Sequence, residues 1–307
     1  MTTSSKPMIR WRLSQLAAHL VVALVALVVI GGATRVMEAG LACPDWPLCF
    51  GSFLPGRQMN LQVFLEWFHR LDAFFVGLAL LIQMVLSHLR RNELPSWAPP
   101  TCAILFFLVI FQGALGALTV FDLLPSGVVT AHLACGLLLL VGVTALSQGL
   151  SSSRQKSPPL FWRLMSVTSL VGVLCQCLLG GRMATTWAAQ RCFLNGQSCE
   201  WLHWHRFVAM PVALCVFAFV ISSLAVGGWP RSQWPWLSAT LGLVGLQISV
   251  GVLSAKLELS NPSVTVAHQL IAALLVALLS SLAFKGPQEY PQVRALGDSS
   301  FLETCNG

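Results

Sequence analysis

Eight apolar stretches, each about as long as a bilayer is thick and with charges gathered at their ends, decide what this chain can fold into. A hydrocarbon core of ~30 Å takes roughly 20 helical residues to cross. The stretches run 14–34, 66–89, 101–121, 128–150, 161–181, 203–228, 234–254 and 264–284. Only 9% of the residues are charged, against about a quarter in a soluble domain, so a water-soluble globule is excluded. The expected fold is an all-α integral membrane protein whose eight transmembrane helices form two parallel-repeated four-helix bundles.

The net charge of +7 does not signal nucleic acid, because the basic residues occupy short connectors between spans rather than one continuous face. They act as topology signals. With the amino terminus inside, eleven of the eighteen fall on the inner side, among them Arg154, Lys156 and Arg294, which places both termini in the cytoplasm. The first span is too long for a signal peptide and is kept as a helix. The short segment before it reads as no transit peptide, and the expectation is a multi-pass protein of a bacterial inner membrane.

The chain repeats itself. His69 to His132 is 63 residues, and His205 to His268 is 63. HRLDAFFVGLAL from His69 matches HRFVAMPVALCV from His205, and PSGVVTAH from Pro125 matches PSVTVAH from Pro262. Gln112 and Gln247 are expected to open the third and seventh spans, and the loop CPDWPLC (Cys43 to Cys49) answers CFLNGQSC (Cys192 to Cys199). The halves are taken as 1–155 and 156–307. Four crossings return the chain to its starting side, so the halves are parallel, a feature some transporters share.

All four repeated histidines fall in the first turns of spans that run from outside to inside, hence at one depth near the outer face. Two imidazoles from facing helices are what six-coordinate haem iron needs, whereas zinc would want further ligands from each site. His19 and His88 lie toward the inner side with no repeat partner and read as incidental, while His203, two residues from His205 and on another helical face, reads as an interfacial histidine or a hydrogen-bond donor to a haem edge. Arg70 and Arg206 follow the first histidine of each pair, and Arg35 and Arg182 close spans one and five. They suit haem propionates or simple interfacial snorkelling.

One difference separates the pairs. Glu66 lies three residues before His69, on the same helical face, and its counterpart before His205 is Leu202. A carboxylate there would accept a proton or stabilise a developing cation; a helix-start glutamate favoured by the macrodipole is the competing reading. The cysteine pairs Cys43–Cys49 and Cys192–Cys199 lie on the outer side, where disulfides persist. Structural bridges and exchange with a reductant both remain open. Cys102, Cys135, Cys175, Cys177, Cys215 and Cys305 read as small packing residues.

The text GGATRVMEAGLACPDWPLCFG from Gly31, with EWFHR from Glu66, resembles the haem A synthase family over nearly the whole chain. The resemblance implies oxidation of the C8 methyl of haem O to a formyl group, giving haem A for cytochrome oxidase, by two hydroxylations and loss of water from a geminal diol. It implies that His69 and His132 bracket substrate haem O, that His205 and His268 ligate a permanent haem b that relays electrons, and that Glu66 is the catalytic carboxylate. Haem O, haem A, the lipid bilayer, haem O synthase and an unidentified electron donor are the implied partners. Against it stand a dihaem b-type electron carrier and a membrane thiol oxidoreductase.

Overall fold

The computed structural model describes residues 6–151, 160–197, 199–226, 229 and 231–285. Arg154, Lys156, Arg294, Cys305, the expected division between 155 and 156, and the last two residues of the span expected over 203–228 lie outside them. Among the described residues the chain forms helices α1 (Lys6–Val36), α2 (Leu61–Leu89), α3 (Ala98–Phe121), α4 (Ser126–Ser151), α5 (Leu160–Thr185), α6 (Ala188–Asn195), α7 (Cys199–Ala225), α8 (Trp234–Lys256) and α9 (Pro262–Lys285). Eight of these are long and apolar enough to cross a membrane, α6 being the exception. The chain is a multi-pass, all-α membrane protein.

The helix starts follow local chemistry rather than hydropathy. Asn60 caps α2, its side-chain oxygen accepting the Val63 amide at 2.9 Å, so this helix begins a full turn before the apolar run does. Glu66 therefore sits beyond the first turn of α2, out of reach of most of the terminal dipole, and the helix-start explanation of this residue weakens. Prolines occupy the first turns of α3 and α8. Starting there, both helices carry Gln112 and Gln247 past their midpoints, not at their openings as expected. The loop between Cys192 and Cys199 is likewise more helical than expected, with Cys192 inside α6 and Cys199 opening α7.

The helices close into two rings. In the first, α1 packs on α2, α2 on α3, α3 on α4 and α4 on α1; in the second the same order runs through α5, α7, α8 and α9. The rings join where α1 and α4 meet α9 and where α4 meets α5. The buried core is continuous across the join, from Leu13 and Leu80 through Leu139, Leu140 and Leu279 to Phe219. Large apolar side chains such as Val22, Phe74, Ile104 and Phe107 are exposed on the periphery, as a lipid-facing surface requires.

The hairpins that present the second histidine of each pair use one turn twice. Leu123 and Leu124 between α3 and α4, and Glu258 and Leu259 between α8 and α9, all have φ between 50 and 62°. Leu124 N donates to Thr119 O at 2.8 Å and Leu259 N to Ser254 O at 3.0 Å, ending the two helices alike.

Candidate haem sites

Within each ring the histidines come from diagonal helices: His69 on α2 faces His132 on α4, and His205 on α7 faces His268 on α9. The members of each pair lie within electrostatic range of one another. The remaining two helices of each ring shape the space around the rings. Each imidazole lies in a notch over a glycine on the helix that precedes it. A Cβ on Gly31 would lie 2.9 Å from His69 Nε2, and one on Gly116 3.3 Å from His132 Cε1. In the second ring, a Cβ on Gly180 would stand 3.1 Å from His205 Cε1 and one on Gly251 2.8 Å from His268 Cε1. Side chains there would displace the imidazoles.

One helical turn before three of these glycines stands a glutamine whose amide meets the imidazole. Gln112 Nε2 is 3.3 Å from His132 Nε2, Gln247 Nε2 is 3.2 Å from His268 Nε2, and Gln176 Nε2 is 3.0 Å from His205 Nδ1. Gln176 also donates to the main-chain carbonyl of His205 at 2.7 Å. Before Gly31 the corresponding residue is Leu27, and the His69 ring has only the Leu27 main-chain carbonyl as a polar neighbour on α1. Nδ1 of His132 and of His268 is buried without a hydrogen bond. The main-chain carbonyls of Gln112 and Gln247 lie beside those two rings, as that of Leu27 lies beside His69.

This donor set fits haem. Each site offers two imidazoles on opposite walls of a bundle, with buried polar atoms unpaired and notches that only glycine leaves open. Among the described residues no three His, Cys, Asp or Glu gather as zinc would need. A recess of about 330 Å³ between α2 and α3, lined by Met84, His88 and Phe107, is apolar and lies toward the opposite ends of those helices from His69.

Over the first site folds the loop closed by the Cys43–Cys49 disulfide; Cys192 and Cys199 are bridged in the same way. Glu66 is 5% exposed and both its oxygens are engaged: Oε2 accepts the Cys43 amide at 2.8 Å and Oε1 pairs with Arg70. Arg70 also donates to the carbonyls of Asp45 and Leu48, each at 2.5 Å. The loop holds its own shape through Asp45, which accepts the amides of Phe50 at 2.6 Å and Gly51 at 2.8 Å. In the second site Leu202 is buried where Glu66 would be, and Arg206 is exposed with no hydrogen bond or ion pair to a described residue. Arg35 reaches across to the carbonyl of Ala184 and stacks 3.6 Å over Trp187, while Arg182 donates to Ser126 at 2.8 Å. These two arginines tie the rings together at the ends from which the disulfide-closed loops extend. His203 is exposed and stacks on Phe207, and His19 and His88 bond only to carbonyls of their own helices.

Residues 14–280 match the model of the COX15-CtaA family, cytochrome oxidase assembly protein. The chain belongs to that family. Its similar proteins include haem A synthase of Shewanella oneidensis, 29% identical over 84% of this chain and 92% of that one. Another is haem A synthase of Bradyrhizobium diazoefficiens, 28% identical over 91% of this chain and 92% of that one. Protohaem IX farnesyltransferase of Haloarcula marismortui is 35% identical over 40% of this chain, a stretch that is 25% of that protein. The repeat in the sequence singles out the four histidines, Gln112 and Gln247, and the mismatch between its halves singles out Glu66. Gln176 and the glycine notches emerge only from the packed helices. The signal was present: a glutamine four residues before a glycine recurs in the helices preceding His132, His205 and His268.

Proposed function

We propose that this chain is a haem A synthase, an oxidoreductase that converts the C8 methyl of haem O to a formyl group and so supplies haem A for cytochrome oxidase. Family membership supports the reaction class. The observation that carries the division of labour is the buried carboxylate of Glu66 beside one histidine pair and the buried side chain of Leu202 beside the other. His69 and His132 bracket haem O as substrate, and His205 and His268 hold haem b as the resident group. Bound haem b supplies electron-transfer chemistry.

The chain's own residues hold the reacting edge. Glu66, fixed by the Cys43 amide and Arg70, stands one turn outward from His69 with its carboxylate under the disulfide-closed loop. From there it takes a proton from the substrate's edge or stabilises positive charge developing on it. Arg70 spends its donors on Glu66 and loop carbonyls, so its part is to position that carboxylate. Arg206 has no such engagement and suits a propionate. The loop and the ring of helices exclude water, and the disulfides act as structural ties. The protein lies in a bacterial inner membrane with both termini cytoplasmic, and receives a farnesylated haem from a haem O synthase.

Co-expression with a haem O synthase, followed by extraction and mass analysis of the bound haems, tests this. The wild-type chain should yield haem A with haem b. Glu66→Ala should retain haem b and accumulate haem O or its alcohol. If Glu66→Ala still makes haem A, the assignment of Glu66 falls; if the wild type keeps both haems but converts neither, the chain is an electron carrier.

A further inference from the structure

The two sites differ a second time, in the contact between each first histidine helix and the helix before it. Between α5 and α7, Gln176 donates to the main-chain carbonyl of His205 at 2.7 Å and meets the imidazole of the same residue at 3.0 Å. Its amide thus ties the two helices together at the ligand residue itself. Between α1 and α2 the corresponding position is Leu27, which has no side-chain donor, so nothing from α1 bonds the main chain of α2 at His69. The contacts of the second histidines do not distinguish the sites, since Gln112 and Gln247 meet His132 and His268 at 3.3 and 3.2 Å.

We propose that Gln176 is the positioning residue that makes the His205/His268 site a retaining one, and that Leu27 leaves His69 the yielding ligand through which the other site exchanges its haem. The inference rests on the assignment of sites above. A resident cofactor and a passing substrate need opposite properties from similar ligand pairs. A side-chain hydrogen bond to a main-chain carbonyl inside a membrane bundle has few competing partners, and it fixes the register and azimuth of the helix that carries the ligand. Outer partners of metal-bound histidines commonly change metal affinity by about 10–100-fold. Without that bond, α2 is held at His69 by the contact of the imidazole with the Leu27 main-chain carbonyl and by packing over Gly31, neither of which fixes its main chain, so it is free to rock as the macrocycle enters or leaves.

The test is haem retention, not turnover. The purified full-length chain, loaded with haem b alone or after co-expression with a haem O synthase, is mixed with an excess of an apo-haem scavenger protein, and haem loss is followed optically. Gln176→Leu, which copies the first site, should release haem b about tenfold faster, whereas Leu27→Gln, which copies the second, should raise the share of haem O and haem A that stays with the protein. A purely structural glutamine would lower the thermal stability of Gln176→Leu and leave its haem-loss rate at the wild-type value; that result overturns the proposal. Should Gln176→Leu fail to fold, Leu27→Gln carries the test, and an unchanged haem composition overturns it. A wild-type chain that binds no haem b overturns the assignment of sites instead.

Discussion

Arg70 and Arg206 occupy corresponding places after a histidine, yet their surroundings divide them. Arg70 is paired with a buried carboxylate and bonded to loop carbonyls; Arg206 is exposed. Replacing Arg70 by leucine would leave Glu66 buried without its partner, a loss of about 3–5 kcal/mol. We expect Arg70→Leu to melt earlier in detergent and to be cut faster by protease in the loop that holds Cys43 and Cys49. Arg206→Leu should lower the melting temperature far less, since its side chain is exposed, has no partner among the described residues, and a solvent-exposed pair with a propionate is worth about 0–1 kcal/mol; equal destabilisation of the two variants would count against the contrast. The notch glycines make a second prediction at this scale. Gly251→Ala places a Cβ 2.8 Å from His268 Cε1 and should lower the haem b content of the purified protein while its helix content is unchanged. Gly245→Ala, with nothing within 4 Å of the added Cβ, is the control and should bind haem normally.

At the scale of elements, the repeated turn before each second histidine is built from residues that do not favour it. Leu123 takes φ 56° and is 74% exposed, so its conformation is strained and its side chain contributes little packing. A left-handed conformation costs an ordinary residue roughly 1–2 kcal/mol, and asparagine is among those that accept it. Leu123→Asn is therefore expected to raise stability by about 1 kcal/mol, read as a higher melting temperature; a lower one would show that Leu123 is held by contacts outweighing the strain. Leu124, with φ 62°, packs against Gly40 and is not a comparable site for relief. The turn matters to the site because the depth of His132 on α4 is set by where α3 stops.

The whole molecule is two rings that share one core. The innermost helices, α4 and α9, carry His132 and His268 and pack on one another, whereas α2 packs mainly on α1 and α3, and α7 mainly on α5, α8 and the short α6. Expressed separately, residues 1–155 and 156–307 would each expose the apolar face that the other covers. We expect neither alone to give a stable haem-binding protein, and the two co-expressed pieces to assemble and bind haem. Recovery of a stable, haem-loaded single half would show that each ring is sufficient by itself. The arginines that bridge the rings, Arg35 to Ala184 and Arg182 to Ser126, belong to the same assembly.

Eight spans, four histidines at matched spacing and the exchange of Glu66 for Leu202 are all legible in the amino-acid sequence, because run length, spacing and local pairing are properties of consecutive residues. Helix starts were less legible: an Asn60 cap and paired prolines override the edge of an apolar run, which is why α2 begins earlier and Gln112 sits deeper than hydropathy suggests. The partners of Arg70 and of Gln176 were not legible at all. Which face of a helix meets its neighbour depends on azimuth and depth, and these are settled only when the whole bundle packs. The sequence by itself determined the solvent, the repeat and the four histidines proposed as ligands. The tertiary structure decided that Arg70 holds Glu66, that glycines make room for the imidazoles, and that a glutamine side chain bonds the main chain at His205 where a leucine stands opposite His69.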